Sequence, residues 1–241
     1  MNLTVLFILV KMKKKLIRYS LDFLIIVLGI SLSFWLQNNA EQEKITVKQN
    51  DGLLRILEDL KSDASLFELT LNTNSMQMEA ANTILAGEIS EALYNVTVPY
   101  FGTFFNDTAI QSLMSTGIVD TYSNQELITS LLKYYRNDYD FIADQSSADE
   151  KIMFDRLSFV SQRIQLDSVS QIKQSLFGEI PMPYFHIAQN QLNTLQNDPN
   201  YKGHLNTLRY IKISYNNFVK SALENNQLLQ EEITSELNRL K

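Results

Sequence analysis

One ionisable residue stands inside the most apolar stretch of the chain, and its chemistry is the first to weigh. Asp22 lies within Ser20-Leu21-Asp22-Phe23-Leu24-Ile25-Ile26-Val27-Leu28-Gly29-Ile30-Ser31-Leu32-Ser33-Phe34-Trp35-Leu36. A carboxylate in hydrocarbon costs a few kcal/mol, roughly 2.5–3.5 on insertion scales, so such a group is paired, packed against another helix or used for proton transfer. The pairing partner on the sequence is Arg18, one helical turn earlier. Gly29, Ser33 and Gln37 follow Asp22 on the same helix face, and Gly29-x-x-x-Ser33 is a small-x-x-x-small pattern that lets two helices approach closely. Packing, ion pairing and a proton relay are therefore the three chemistries open to Asp22.

The other chemistry-bearing residues are less organised. His186 and His204 have no second ligand at His-x-x-x-His or Glu-x-x-His spacing, so no metal site is expected. Asp138, Asp140 and Asp144 resemble a calcium loop only in number, because the glycine such a loop needs is absent, and a solvated acidic face is expected. Tyr134, Tyr135, Tyr139 and Phe141 gather aromatics on one helix, with core packing the default and a ligand pocket the minority reading. No Gly-x-Ser-x-Gly elbow or glycine-rich phosphate loop occurs, and with no cysteine there is no thiol nucleophile, thiolate metal site or disulfide. The expectation is a protein without enzymatic activity, cofactor or metal.

These residues must be positioned by helices. Hydrophobic residues make up 45% of the 241, while Gly and Pro number only 7 and 4. Few breakers and many straight-chain residues favour long helices, so the expected class is all-α: an N-terminal transmembrane helix followed by an antiparallel bundle of long amphipathic helices. The 17 residues from Ser20 to Leu36 span about 25 Å as a helix, close to a hydrocarbon core, with Tyr19 and Trp35 placed where aromatic rings settle at its two boundaries.

Charge gives the orientation. Residues 1–18 carry Lys11, Lys13, Lys14, Lys15 and Arg18 with no acid, whereas the remainder has 16 basic and 27 acidic side chains. Basic residues ahead of a span keep that end in the cytoplasm. The expected division is therefore a basic cytoplasmic segment 1–18, an anchor 19–37 and an extracytoplasmic bundle 38–241. The start MNLTVLFILV is too short to span and suggests Met12 as the true start. A cleaved signal is disfavoured by Asn at the small-residue position before Ala40. The acidic outer part excludes nucleic acid as a partner.

Beyond the anchor, Leu53, Leu57, Leu60, Ala64, Phe67, Leu71, Asn74, Met78, Ala81 and Leu85 alternate steps of four and three, a heptad seam on one long helix, with a possible kink at Asn50-Asp51-Gly52. Residues 87–107 read as a connection. A short helix from Thr108 to Thr116 stops at Gly117, and Ser123-Asn124-Gln125-Glu126 reads as a capping box. The helix it opens is expected to carry Ile128, Leu131, Tyr135, Tyr139, Ile142, Met153, Leu157, Val160 and Ile164, with a break near Ser147-Ala148-Asp149-Glu150. Residues 166–197, with Pro181 and Pro183, read as irregular or short-helical. Asp198-Pro199 then opens a last helix with an inward stripe from Leu208 through Tyr215, Ala222 and Ile233 to Leu240.

The run Asp22 to Ile30 with Asn38 and Glu41, the segment Ser112-Leu113 through Tyr122–Leu127 to Leu132-Lys133-Tyr134-Tyr135, and Asn197-Asp198-Pro199 together resemble a bacterial family of uncharacterised single-pass membrane proteins. That family's exit tryptophan falls at Asn39 here, and Trp35 stands one turn earlier. The resemblance implies the anchor-plus-helices architecture at a bacterial inner membrane and, since that family has no established activity, leaves function open. The expected function is a membrane-anchored interaction protein of the cell envelope. Its partners would be the lipid bilayer and a protein partner or second copy, met through the anchor and the helix seam. The alternatives are an extracytoplasmic sensor or ligand-binding module, and a subunit of an ion-driven membrane complex using Asp22.

Overall fold

A computed structural model describes the backbone of residues 3–165, 167–172 and 181–240, with side chains from Tyr19 onward in those ranges except Ile172. The side chains of Lys13, Lys14, Lys15 and Arg18, assigned above to membrane orientation, lie outside the described ones, and so does the Asp22–Arg18 pair.

The described chain is mostly helical. In order come α1 (Leu3–Ala86), α2 (Glu91–Thr97), α3 (Thr108–Ser115), a 3-10 turn (Ile118–Thr121), α4 (Gln125–Lys133), a π turn (Tyr134–Asp138), α5 (Tyr139–Ser161), β1 (Ser168–Ile172), β2 (Met182–His186), α6 (Gln189–Asn197) and α7 (Pro199–Arg239). The chain forms two units, Met1–Asp51 and Gly52–Lys241.

In the first unit, one helix among the described residues is long and apolar enough to cross a membrane, and nothing in its apolar window is buried. Phe23, Ile25, Leu28, Phe34 and Trp35 are each more than half exposed.

In the second unit, α5 and α7 run in opposite directions along each other, pairing Phe141 with Phe218, Asp149 with Lys212 and Phe159 with His204. The α1 stripe covers the same α7 face, from Leu60 beside Asn226 to Asn74 beside Asn216. Two apolar clusters result. One joins Leu53, Ile56, Leu60 and Phe67 to Tyr215, Val219, Leu229 and Ile233. The other joins Ala81 and Ile84 to Val160, Leu192, Tyr201 and Leu205.

The seam on α1 is turned from the expected register. Leu53, Leu60, Phe67, Asn74 and Ala81 are buried, but their companions are Ile56, Asp63, Thr70, Gln77 and Ile84. Leu57, Ala64, Leu71, Met78 and Leu85 are only partly buried. Three of the five true companions are polar, so a stripe drawn through apolar residues alone slides one position outward.

α1 is helical through Gly52. A Cβ there would fall 2.5 Å from Leu113 Cδ2, so the glycine lets α3 seat close against α1. Gly117, at φ 70°, ends the α3 segment as expected.

Four other readings are corrected. The connection 87–107 contains α2, capped by Ser90 Oγ accepting from the Leu93 amide. The cap of α4 is Asn124, whose Oδ1 accepts from the Leu127 amide, while the Ser123 hydroxyl is bonded by Arg239. The helix is continuous through Ser147–Glu150, and its irregularity is the π turn at Tyr134–Asp138. Residues 166–197 include an antiparallel pair, β1 with β2, in the register Ser168–His186 to Ile172–Met182, followed by α6. Asn95 on α2 stands in for a further strand: its amide accepts from Phe185 N and donates to Phe185 O. Asp198 caps α7 as the sequence implies, accepting from the amides of Asn200 and Tyr201.

Candidate functional site

Between the two apolar clusters lies a belt of buried polar side chains, drawn from α1, α5 and α7. Lys212 is central and 1% exposed. Its Nζ donates to Asp149 Oδ2 at 2.6 Å and to Asn74 Oδ1 at 2.8 Å. Asn74 Nδ2 in turn donates to Asn216 Oδ1 at 2.9 Å. Burial pushes the Lys212 ammonium below its ordinary range, and the Asp149 carboxylate opposes that shift. A charge pair taken out of water gains little net stability, but removing one partner leaves the other uncompensated at roughly 3–5 kcal/mol. The pair therefore fixes the register of α5 on α7 more than it adds to stability.

Arg156, one α5 heptad beyond Asp149, is also fully buried and donates from Nη2 to Thr97 O at the end of α2. Around it stand Tyr94 and Tyr201, both fully buried. Gln77 donates to Pro99 O at 2.6 Å, and the Thr70 and Thr103 hydroxyls bond at 2.7 Å, which ties the 99–103 segment to α1.

A second network sits on the far side of the Phe67–Phe105 contact. Asp63 accepts from the Asn106 amide at 2.8 Å and from Tyr134 Oη at 3.2 Å; Tyr134 Oη accepts from Asn226 Nδ2, which also donates to Leu60 O. Asp59 accepts from Asn106 Nδ2 and the Ala109 amide. Burial raises the Asp63 carboxyl to about 7 despite the Asn106 and Tyr134 bonds that favour its charged form, with Asp59 and Asp107 adding repulsion. Lys133, Tyr134, Asp138, Asn225 and Leu228 line a surface cleft of about 150 Å³. That is small against the roughly 300–1,000 Å³ of ordinary ligand pockets.

On the strand pair, Ser170 Oγ is 2.9 Å from His186 Nε2, and Glu91 Oε1 is 3.3 Å from His186 Nδ1. The order hydroxyl, imidazole, carboxylate is that of a nucleophilic triad. Here Glu91 Oε2 also accepts from the Ile187 amide, so Glu91 pins the end of β2 to α2 while Ser170 and His186 join the two strands.

Among the residues singled out from sequence, Gly29 and Ser33 are one turn apart on α1, and the Ser33 hydroxyl donates to Gly29 O at 2.9 Å. A Cβ at Gly29 would meet nothing within 4 Å, so this face is open. Asp22 and Trp35 are exposed on the same helix. His204 packs on Phe159, and no group of three or more His, Cys, Asp or Glu able to hold a metal occurs among the described residues. Tyr134 is buried as a core aromatic, whereas Tyr139 and Phe141 are exposed. Asp138 accepts from Asn225, and Asp140 and Asp144 are exposed.

Asp63, Asp149, Arg156, Lys212 and Asn226 were not anticipated. A signal existed on α7, where Lys212 and Asn226 fall in step with Tyr201, Leu205, Leu208, Tyr215, Val219, Ala222 and Leu229. A charged residue in phase with a core stripe is a buried residue awaiting a partner.

The fold and belt define a class: a helical unit with a buried charged seam, joined to a helix long and apolar enough for a bilayer. Compared with family models, curated proteins and solved structures, the chain gives no match.

Proposed function

We propose that this is a bacterial envelope interaction protein, anchored by residues 19–37 with its N-terminus in the cytoplasm, whose extracytoplasmic antiparallel bundle and anchor face bind another protein or a second copy. One observation carries the reading: from Tyr19 to Leu36 the large apolar side chains are exposed, an apolar area of a kind that soluble domains rarely leave in water. The resemblance to single-pass membrane proteins supports the same architecture. The bundle's acidic exterior favours a protein partner over nucleic acid.

The open Gly29–Ser33 face is the place where a partner helix would approach, since Ser33 satisfies its own hydroxyl on Gly29 O and presents no bulk. In-cell crosslinking from photoreactive residues at positions 26 and 30, which flank this face and already carry bulky side chains, tests this. Gly29→Leu and Ser33→Leu are expected to abolish the crosslinked species, and Asp22→Asn to leave it intact. Crosslinks that survive both Leu substitutions would refute the anchor interface. Appearance of the deletion phenotype in Asp22→Asn with crosslinking intact would instead favour a proton-coupled subunit.

A further inference from the structure

We propose that the polar belt binds a monovalent anion against the Arg156 guanidinium. The belt carries two buried cations, Lys212 and Arg156, and one buried carboxylate, Asp149, which Lys212 already holds at 2.6 Å. Arginine does not deprotonate in proteins, so the guanidinium cannot shed its charge as a buried lysine does. The neighbouring phenols do not neutralise it either, because burial drives the Tyr94 and Tyr201 hydroxyls away from ionising. Burial first, then Arg156, lowers the His204 imidazole, while Asp155 and Asp198 act in the opposite direction.

The hydrogen bonding is equally one-sided. Arg156 spends Nη2 on Thr97 O, but its Nε and Nη1 have no partner among the described residues. Tyr94 Oη has none, and Tyr201 Oη stands near Thr97 without closing a bond. Gln77 Oε1 and Thr73 Oγ1 are unspent acceptors, and neither carries charge. A buried cation with unspent N–H donors and phenolic O–H groups beside it has the donor chemistry of an anion site. A water could accept from these donors and would leave the charge uncompensated. A monovalent ion fits because the excess is one charge; sulfate or phosphate would overshoot it.

The test uses the full-length protein in neutral detergent, freed of halide, with bromide replacing gluconate at constant ionic strength and a total bromide below about 20 mM, where a Debye length near 20–30 Å is held fixed by the counter-salt. The melting temperature of the parent is expected to rise with bromide, because a ligand bound only by the folded state stabilises it. Tyr94→Phe keeps the ring and loses one donor, and should move the bromide midpoint upward about tenfold. Arg156→Met should abolish the response. If it does not fold, the Tyr94→Phe shift still decides. Crystals grown with bromide should show an anomalous peak within hydrogen-bonding distance of Arg156 Nε or Nη1. Equal melting in bromide and gluconate, an unchanged midpoint in Tyr94→Phe, or a water alone beside Arg156 would overturn the proposal.

Discussion

Asp63→Asn should reverse its effect on stability as pH is raised. Asp63 is 2% exposed, and burial raises its carboxyl from 3.8 to about 7. Between those values the folded protein holds a proton that the unfolded chain releases. Stability therefore falls as pH climbs from about 4, and the loss is complete above about 7, on the order of 4 kcal/mol at 1.36 kcal/mol per pH unit. The amide in Asp63→Asn copies the protonated acid in shape and can still accept from the Asn106 amide, so the variant escapes this loss. Its only new conflict is with Tyr134 Oη, which donates to the carboxylate in the parent; an unmade bond there costs about 1 kcal/mol. Urea unfolding in detergent, followed by circular dichroism at pH 4.5 and 8, reads both ends. Near pH 4.5 the variant should equal the parent or fall about 1 kcal/mol short. At pH 8 it should be the more stable by about 3 kcal/mol. Equal destabilisation at both values would show that Asp63 is an ordinary ionised carboxylate, and the reasoning from burial would fail.

The register of the α1 seam is checked by a pair of substitutions. Ile56→Asp places a charge at a fully buried position and should cost more than about 4 kcal/mol, whereas Leu57→Asp at a half-buried one should cost clearly less; equal costs would restore the register drawn through Leu57. A reporter enzyme fused after Lys241 should be active only outside the cytoplasm, and cytoplasmic activity would invert the proposed topology.

The parts of the fold legible from sequence are those written in local chemistry. Asp198 followed by Pro199 announces the start of α7, Gly117 announces a left-handed stop, and the apolar run from Ser20 to Leu36 announces an exposed helix. What escaped depends on contacts distant in sequence. Ser168–Ile172 and Met182–His186 pair with each other and borrow Asn95 from α2, some ninety residues earlier, which no local pattern records. The π turn likewise begins at Tyr134, which reaches Asp63 and Asn226 on two other helices. The belt and the Asp63 network were hidden by the rule that finds cores: a search for apolar stripes passes over Asp63, Gln77 and Lys212 because they are polar, although their spacing is that of the core. The candidate anchor residues behave differently. Asp22, Gly29 and Ser33 were readable at once because an exposed polar or small residue on an apolar helix needs no partner to be noticed.

The central claim is that the helix carrying residues 19–37 stays in the bilayer as an anchor. Intact-mass measurement on protein recovered from alkaline-washed membranes tests it directly. The expected result is a membrane-retained species that still contains residues 19–37, whether it begins at Met1 or at Met12. A soluble species beginning near Glu41 would contradict the claim and make the same apolar helix a removed signal.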